Sequence, residues 1–222
     1  MIRRINNLIK KSTLIIKDDG ALRFAKRAAK YAYYKKFPDR KNKEYKDILF
    51  INGCTLPHPE RYRVAHQIEQ LISQGLTADS VFYDRLSLDQ LKYYRGFVFF
   101  RCPITDTVRN FIKQANYFNK TCFFDIDDLV IDQKYTDSIE YVQKMSDEDK
   151  HLYNDGVNRM GETLTLCSHA ITTTTQLQEE LQKYIKGQVL INRNVASDEM
   201  ISRSNAAIKA VNKNEDKVII GY

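Results

Sequence analysis

Three aspartates follow an apolar run in the middle of the chain. In the sequence TCFFDIDD, residues 121–128, the carboxylates are Asp125, Asp127 and Asp128. Close packing of like charges costs free energy, so such clusters usually orient hydroxyls, pair with cations or bind metal. We interpret Asp127 and Asp128 as candidate catalytic residues and Asp125 as a candidate substrate-binding residue. The alternative is that one caps the next segment and another pairs with a nearby arginine.

Cationic residues cluster at the start of a predicted helix. Arg61 and Arg63 flank its N-terminus, where the helix dipole makes positive charge mildly unfavourable. This position favours an anionic partner, either a phosphate or the carboxylates of Asp127 and Asp128. The alternative is that both arginines are solvated at the surface. His58, in the preceding loop, is a weak candidate acid/base group. The three residues are candidate substrate-binding positions.

Polar residues and a glycine end two other apolar runs. Asn192 and Asn194 follow the last run of the body and could bond acceptor or donor groups, or could simply form a turn. Gly53 ends the first run and is a further candidate substrate-binding position. His66 lies one turn into the first predicted helix, and we expect a structural role for it.

The cysteines and histidines give no metal pattern. Four cysteines lie far apart in the sequence, and neither a CxxC spacing nor a zinc pattern with the four histidines occurs. The cysteines are therefore interpreted as free buried thiols in a reducing compartment. We predict neither a metal site nor a cofactor. The cysteines are Cys54, Cys102, Cys122 and Cys167.

Strand and helix patterns alternate six times along the body. Apolar runs predict strands at residues 48–53, 80–83, 97–100, 121–126, 169–173 and 188–191. Helical patterns lie between them, with capping boxes predicted at Ser87 and Thr175. Helical crossovers connect parallel strands, so the fold class is α/β with a doubly wound parallel sheet of Rossmann-like type.

In such a sheet, ligands bind outside the carboxyl ends of the strands. That rule selects four loops, in which the polar residues named above gather. A glycine pattern for a standard dinucleotide site is absent from the first loop. The loops are residues 53–62, 101–105, 125–128 and 192–194.

Charge divides the chain into an arm and a body. Residues 1–46 hold 15 basic and 4 acidic residues, a balance of +11, whereas the rest holds 20 and 24, a balance of −4. A body that is mildly acidic argues against nucleic acid as a partner. The arm reads as a basic amphipathic helix in two pieces, and residues 1–36 could contact an anionic membrane. The alternative is a helix packed on the body.

Domain limits follow from these patterns. We predict an arm and linker at 1–46, a Rossmann-like domain at 47–196, and a hinge segment with the first strand of a further, missing or truncated domain at 197–222. Neither a spanning apolar run nor a signal peptide is found in the sequence. We expect a cytoplasmic location, with peripheral contact at the inner face of the plasma membrane as an option.

The order of these segments resembles the N-terminal domain of retaining GT-B glycosyltransferases of the bacterial group 1 type, which build cell-surface polysaccharide. The matching segments cover residues 47–222. They are ILFINGCTLPHPERYRVAHQIEQLISQG at the first strand, FFDIDDLV, HAITTTTQLQEEL, VLINRNVASDEM before the hinge, and VIIGY. The first loop departs from the family by lacking its usual Gly-Gly, and Asp127 and Asp128 stand where many relatives place a histidine.

The resemblance implies a division of labour between two halves. The N-terminal half would hold a sugar or lipid-linked glycan acceptor, and the C-terminal half would hold the nucleotide-sugar donor, generally without a metal. The parent enzyme would transfer a sugar to a growing surface glycan or lipid-linked acceptor with retention. We expect this chain alone to be inactive.

Two other classes remain open. FFDIDD also resembles the first motif of haloacid-dehalogenase-like phosphatases, with Asp125 as nucleophile, Asp127 as acid/base and Mg²⁺ as cofactor. Leu129 stands where that family usually has threonine, and no acidic pair lies directly at the end of the strand predicted at residues 188–191. The other class is a non-catalytic acceptor-binding module.

Overall fold

The computed structural model describes residues 44–210 and, before them, Ala21, Ala25 and Ala29. These three alanines are helical and exposed. The rest of the arm before residue 44 and the strand predicted near residue 217 lie outside the described residues.

Six strands form one parallel sheet in the described part of the chain. They are β1 (Lys46–Asn52), β2 (Ala78–Phe82), β3 (Tyr94–Phe100), β4 (Thr121–Asp125), β5 (His169–Thr172) and β6 (Val189–Ile191). The strand order is β2-β1-β3-β4-β5-β6, and every neighbouring pair is parallel. The architecture is therefore the expected Rossmann-like α/β fold.

Helices connect the strands. The first connection has three consecutive segments: α1 (Pro57–Glu60), a π-helical segment (Arg61–Ala65) and α2 (His66–Ser73). Two 3₁₀ segments, Tyr83–Arg85 and Leu88–Lys92, precede β3. The others are α3 (Asp106–Tyr117), α4 (Gln133–Thr136), α5 (Glu140–Gln143), α6 (Asp147–Leu166), α7 (Thr175–Gln182) and α8 (Asp198–Ala210).

The strands bury apolar side chains on both faces, because the side chains of a strand alternate between them. On one face, Phe97 and Phe99 pack with Phe111 of α3 in the larger core. On the other, Val98 and Phe100 pack with Val64 of the π-helical segment. Helices thus cover both faces, which is the doubly wound arrangement.

Local signals agree with the predictions except at one cap. Ser87 forms the expected capping box with Gln90. The cap of α7 is Thr174 rather than Thr175, because Thr174 has extended backbone and its hydroxyl accepts the Leu177 N–H at 3.2 Å.

The strand order reverses between β1 and β3. From β1 the chain passes to β2 on one side and then crosses to β3 on the other. In register, Asn52 lies opposite Phe100, and Phe100 lies opposite Asp125. The carboxyl ends of β1, β3 and β4 are therefore level, and they border the crevice where ligands bind in such sheets.

Candidate functional site

Gly53 lets the chain segments after β1 and β3 touch. Its N–H donates to the Phe100 carbonyl at 2.8 Å. A Cβ at this position would lie 2.3 Å from the Arg101 carbonyl oxygen and 2.4 Å from Cys102 Cα. Both neighbours are backbone atoms, so only glycine fits. The predicted site residue Gly53 therefore shapes the crevice through its lack of a side chain.

Arg101 has an unusual backbone at this junction. Its φ of 40° lies in the left-handed region, which arginine seldom adopts. The Arg101 N–H donates to the Asp125 carbonyl at 3.0 Å, which fixes the turn after β3 against β4. Backbone strain of this kind persists where surrounding contacts enforce it, and it concentrates at functional sites.

The Arg101 side chain gathers two of the predicted carboxylates. Its Nε donates to Asp127 Oδ1 at 2.7 Å, and its Nη2 contacts both Asp127 and Asp128. Tyr153 of α6 lies close enough for the charges of Asp128 and Arg101 to act on it. We call these four residues the Arg101 cluster.

Exposure differs across the Arg101 cluster. The side chains of Arg101 and Asp127 are 14% and 18% exposed, whereas that of Asp128 is 61% exposed. Burial lowers the pKa of Arg101, but the carboxylates outweigh it and the net shift is upward. Burial, together with Asp128, raises the pKa of the Tyr153 phenol. The cluster thus offers a charged acceptor at the surface, held by a fixed cation.

A second cluster is centred on a buried pair formed by an arginine and an aspartate. Arg63 Nη2 donates to both Asp125 carboxylate oxygens at 2.8 and 2.9 Å, and Nε donates to Oδ1 at 3.1 Å. Nη1 donates to the Asn192 carbonyl at 2.6 Å and to Asn194 Oδ1 at 3.3 Å. Arg63 is 0% exposed and Asp125 is 1% exposed. We call these four residues the Arg63 cluster.

The Arg63 cluster contains a buried ion pair between Arg63 and Asp125. Burial raises the pKa of Asp125 to about 7, while Arg63 acts in the opposite direction. All three guanidinium nitrogens have protein partners, so Arg63 joins the π-helical segment to the ends of β4 and β6. The anionic partner of Arg63 is therefore Asp125, and not Asp127 or Asp128 as the sequence suggested.

Helix α2 holds the segment that follows β6. The His66 ring nitrogen Nδ1 lies 2.8 Å from the Val195 carbonyl oxygen, and the Asp198 N–H donates to Glu69 at 2.7 Å. The Asn192 side-chain amide donates to Gln67. His66 is 5% exposed, which fits the structural role expected of it.

Apart from Gly53, the predicted site residues fall into three groups in the structure. Arg63, Asp125, Asn192 and Asn194 meet in the Arg63 cluster, and Asp127 and Asp128 meet in the Arg101 cluster. His58 and Arg61 lie exposed in α1 and the π-helical segment, apart from either cluster's hydrogen bonds.

Sequence reasoning missed two members of the Arg101 cluster. Arg101 opens one of the four loops selected at the carboxyl ends, so its position and charge were a usable signal. Tyr153 comes from α6, more than twenty residues after the aspartates, and no sequence spacing points to it.

The cysteines are free, as expected, and all four are buried. Burial raises the pKa of the Cys122 thiol to about 12 and that of Cys102 well above its usual value, so these thiols stay protonated. Across residues 44–210, no three His, Cys, Asp or Glu side chains are arranged to hold a metal ion. In the same part of the chain, no helix is long and apolar enough to cross a membrane.

Comparison of the chain with protein-family models, with curated proteins and with solved structures gives no match.

Proposed function

We propose that this chain is the acceptor-binding domain of a sugar-transferring enzyme of the GT-B type. The observation that carries the proposal is the Arg101 cluster, in which Asp127 and Asp128 are held by one arginine at the strand-order reversal. In the complete enzyme, a sugar would pass from a nucleotide-sugar to a surface glycan or lipid-linked acceptor. The sugar transfer would take place in the cytoplasm.

The chemistry of the Arg101 cluster suits a polyhydroxylated ligand. A carboxylate accepts hydrogen bonds from hydroxyls, and charge-assisted hydrogen bonds are stronger than neutral ones. Asp128 presents such an acceptor at the surface, while Arg101 fixes its position. Tyr153 can both donate and accept, and its ring offers an apolar surface. We expect Asp128 to bind an acceptor hydroxyl and Asp127 to position Arg101.

The phosphatase alternative requires a free nucleophile at Asp125. Both oxygens of that carboxylate accept hydrogen bonds from Arg63, and the residue is 1% exposed. A nucleophile must come into contact with the reacting atom of its substrate, at about 3–3.5 Å. The geometry therefore favours a structural role for Asp125 and supports the acceptor-binding proposal over the phosphatase.

Glycan binding tests the proposal. We expect the protein to bind at least one class of oligosaccharide on a glycan array, and Asp128→Asn to weaken that binding about tenfold, because a hydrogen bond to a charged group contributes roughly 1.5–3 kcal/mol. Asp89→Asn is the matched control, since its carboxylate is 81% exposed and lies in a 3₁₀ segment before β3. Binding to no glycan, or equal binding by all three proteins, would count against the proposal.

We also propose that the arm holds the protein at an anionic membrane. Residues 1–36 contain eleven basic and two acidic residues. Each Lys or Arg near an anionic surface strengthens binding by roughly fivefold. Deleting residues 1–36 should weaken binding to phosphatidylserine vesicles at least tenfold in a flotation assay, with an unchanged thermal transition. Equal flotation of the truncated and intact proteins would refute the arm's role.

A further inference from the structure

The amino end of the sheet carries exposed aromatic side chains. Tyr45 precedes β1 and is 83% exposed, and its ring centroid lies 6.0 Å from that of Tyr93. Tyr117 and Phe118, at the end of α3 just before β4, are 81% and 58% exposed. Because the strands are parallel, their starts share one edge of the sheet, opposite the Arg101 cluster. We call this edge the amino-end face.

A basic depression lies in the amino-end face. Its volume is about 420 Å³. Among its lining residues are four cationic side chains and one carboxylate, Asp47. Ion pairs with Asp47, Asp79 and Asp89 engage three of these four cations. The fourth, Lys120, donates to two backbone carbonyls and keeps its charge unpaired within residues 44–210. The cations are Lys46, Lys92, Arg95 and Lys120.

Charge is distributed unequally between the two ends of the sheet. Residues 125–155, which begin at the carboxyl end of β4, contain ten acidic and three basic residues. The arm, with its balance of +11, joins the fold at the start of β1, beside Tyr45. An anionic surface would therefore attract the amino end and repel the carboxyl end.

We propose that the amino-end face lies against an anionic lipid surface, with Tyr45, Tyr117 and Phe118 at the level of the headgroups. Tyrosine and other amphipathic rings are enriched at that level, and neighbouring Lys and Arg are attracted by anionic lipids. This inference rests on the membrane contact proposed for the arm, and it adds a contact made by the folded body itself.

The contact fixes how the candidate site faces the membrane. β3 has seven residues, and a strand of that length spans about 20 Å. The Arg101 cluster, at the far end of β3, would open away from the bilayer at roughly that height. A lipid-linked acceptor would have to reach the cluster with sugars remote from its lipid.

The sequence contains no tryptophan, so a single introduced tryptophan reports on one place. Tyr117→Trp places the probe in the amino-end face. Tyr141→Trp is the matched control, because Tyr141 is 74% exposed and lies in α5, between the carboxyl end of β4 and the start of α6. Both variants keep the whole chain and replace an exposed tyrosine.

On vesicles rich in phosphatidylserine, the emission of Tyr117→Trp should shift to shorter wavelength by about 5–10 nm, as for an indole moved from water to the headgroup level. Brominated lipids should quench it at least twofold. The emission of Tyr141→Trp should stay unchanged, and phosphatidylcholine vesicles should give no shift with either variant.

Other outcomes overturn the inference in distinguishable ways. Vesicle binding with no shift in either variant would leave the arm contact standing and refute a contact by the amino-end face. A shift of Tyr141→Trp alone would reverse the orientation. Absence of vesicle binding would refute both membrane proposals, while glycan binding would remain a separate question.

Discussion

Replacing Arg63 with methionine is expected to lower the free energy of unfolding by about 3–5 kcal/mol, the cost of breaking a buried ion pair by removing one partner. The change leaves the Asp125 carboxylate buried without its cation and removes the donors to Asn192 and Asn194. Urea denaturation followed by circular dichroism would measure the loss.

Two further variants separate this effect from a general loss of arginine. Arg61→Met changes an exposed arginine two residues away and should alter stability by less than about 0.5 kcal/mol. The double variant Arg63→Met/Asp125→Asn should recover at least about 1 kcal/mol, since no uncompensated charge stays buried. Equal stabilities of the Arg63 and Arg61 variants would show that the Arg63 cluster does not hold the fold together.

Replacing Gly53 with alanine is expected to destabilise the protein by about 3 kcal/mol, at the upper end for overpacking. The new methyl group would meet the Arg101 carbonyl oxygen at 2.3 Å, and relief would require the ends of β1 and β3 to separate. Because the same movement displaces the Arg101 side chain, glycan binding should fall with stability.

Gly156→Ala is the matched control for Gly53→Ala. Gly156 lies within α6, and a Cβ there would meet no atom within 4 Å. Alanine is the better helix former, so this variant should gain about 0.5–1 kcal/mol. Denaturation of both variants under the same conditions would make the comparison, and a Gly53 variant as stable as the Gly156 variant would refute the steric account.

The sequence predicted the sheet well because its strands carry a strong signal. A run such as residues 97–100 is buried on both faces. Its apolar composition predicts that burial even when the adjacent strands are unknown. The order of the strands depends on how the crossovers pack on the sheet. The pattern therefore predicted a doubly wound sheet but left the order unspecified.

The candidate site was predicted less completely, because its pairings depend on the three-dimensional register. Arg63 and Asp125 are 62 residues apart, and only the seating of the π-helical segment against β4 brings them together. The expectation that one aspartate pairs with a nearby arginine was met by Arg63 with Asp125. Arg101 contacts the other two aspartates because of the turn after β3. The positive φ of Arg101 in that turn is not predicted by any local sequence pattern.

The cysteines and the asparagines show the same contrast between features that local sequence predicts and pairings that depend on the fold. Free cysteines followed from the absence of paired spacings, and their burial from the usual behaviour of a free thiol. By contrast, Asn192 and Asn194 were correctly placed at a strand end, yet their partner is Arg63, and sequence reasoning offered a turn or a ligand instead.

The location of glycan binding tests the central claim most directly. The best oligosaccharide from the array would be titrated into isotope-labelled protein while backbone amide NMR signals are followed. The proposed function predicts shifts concentrated at Gly53, Arg101, Asp127 and Asp128, with none at Tyr45 in the amino-end face. Shifts confined to another surface, or no saturable shift with any oligosaccharide, would contradict it.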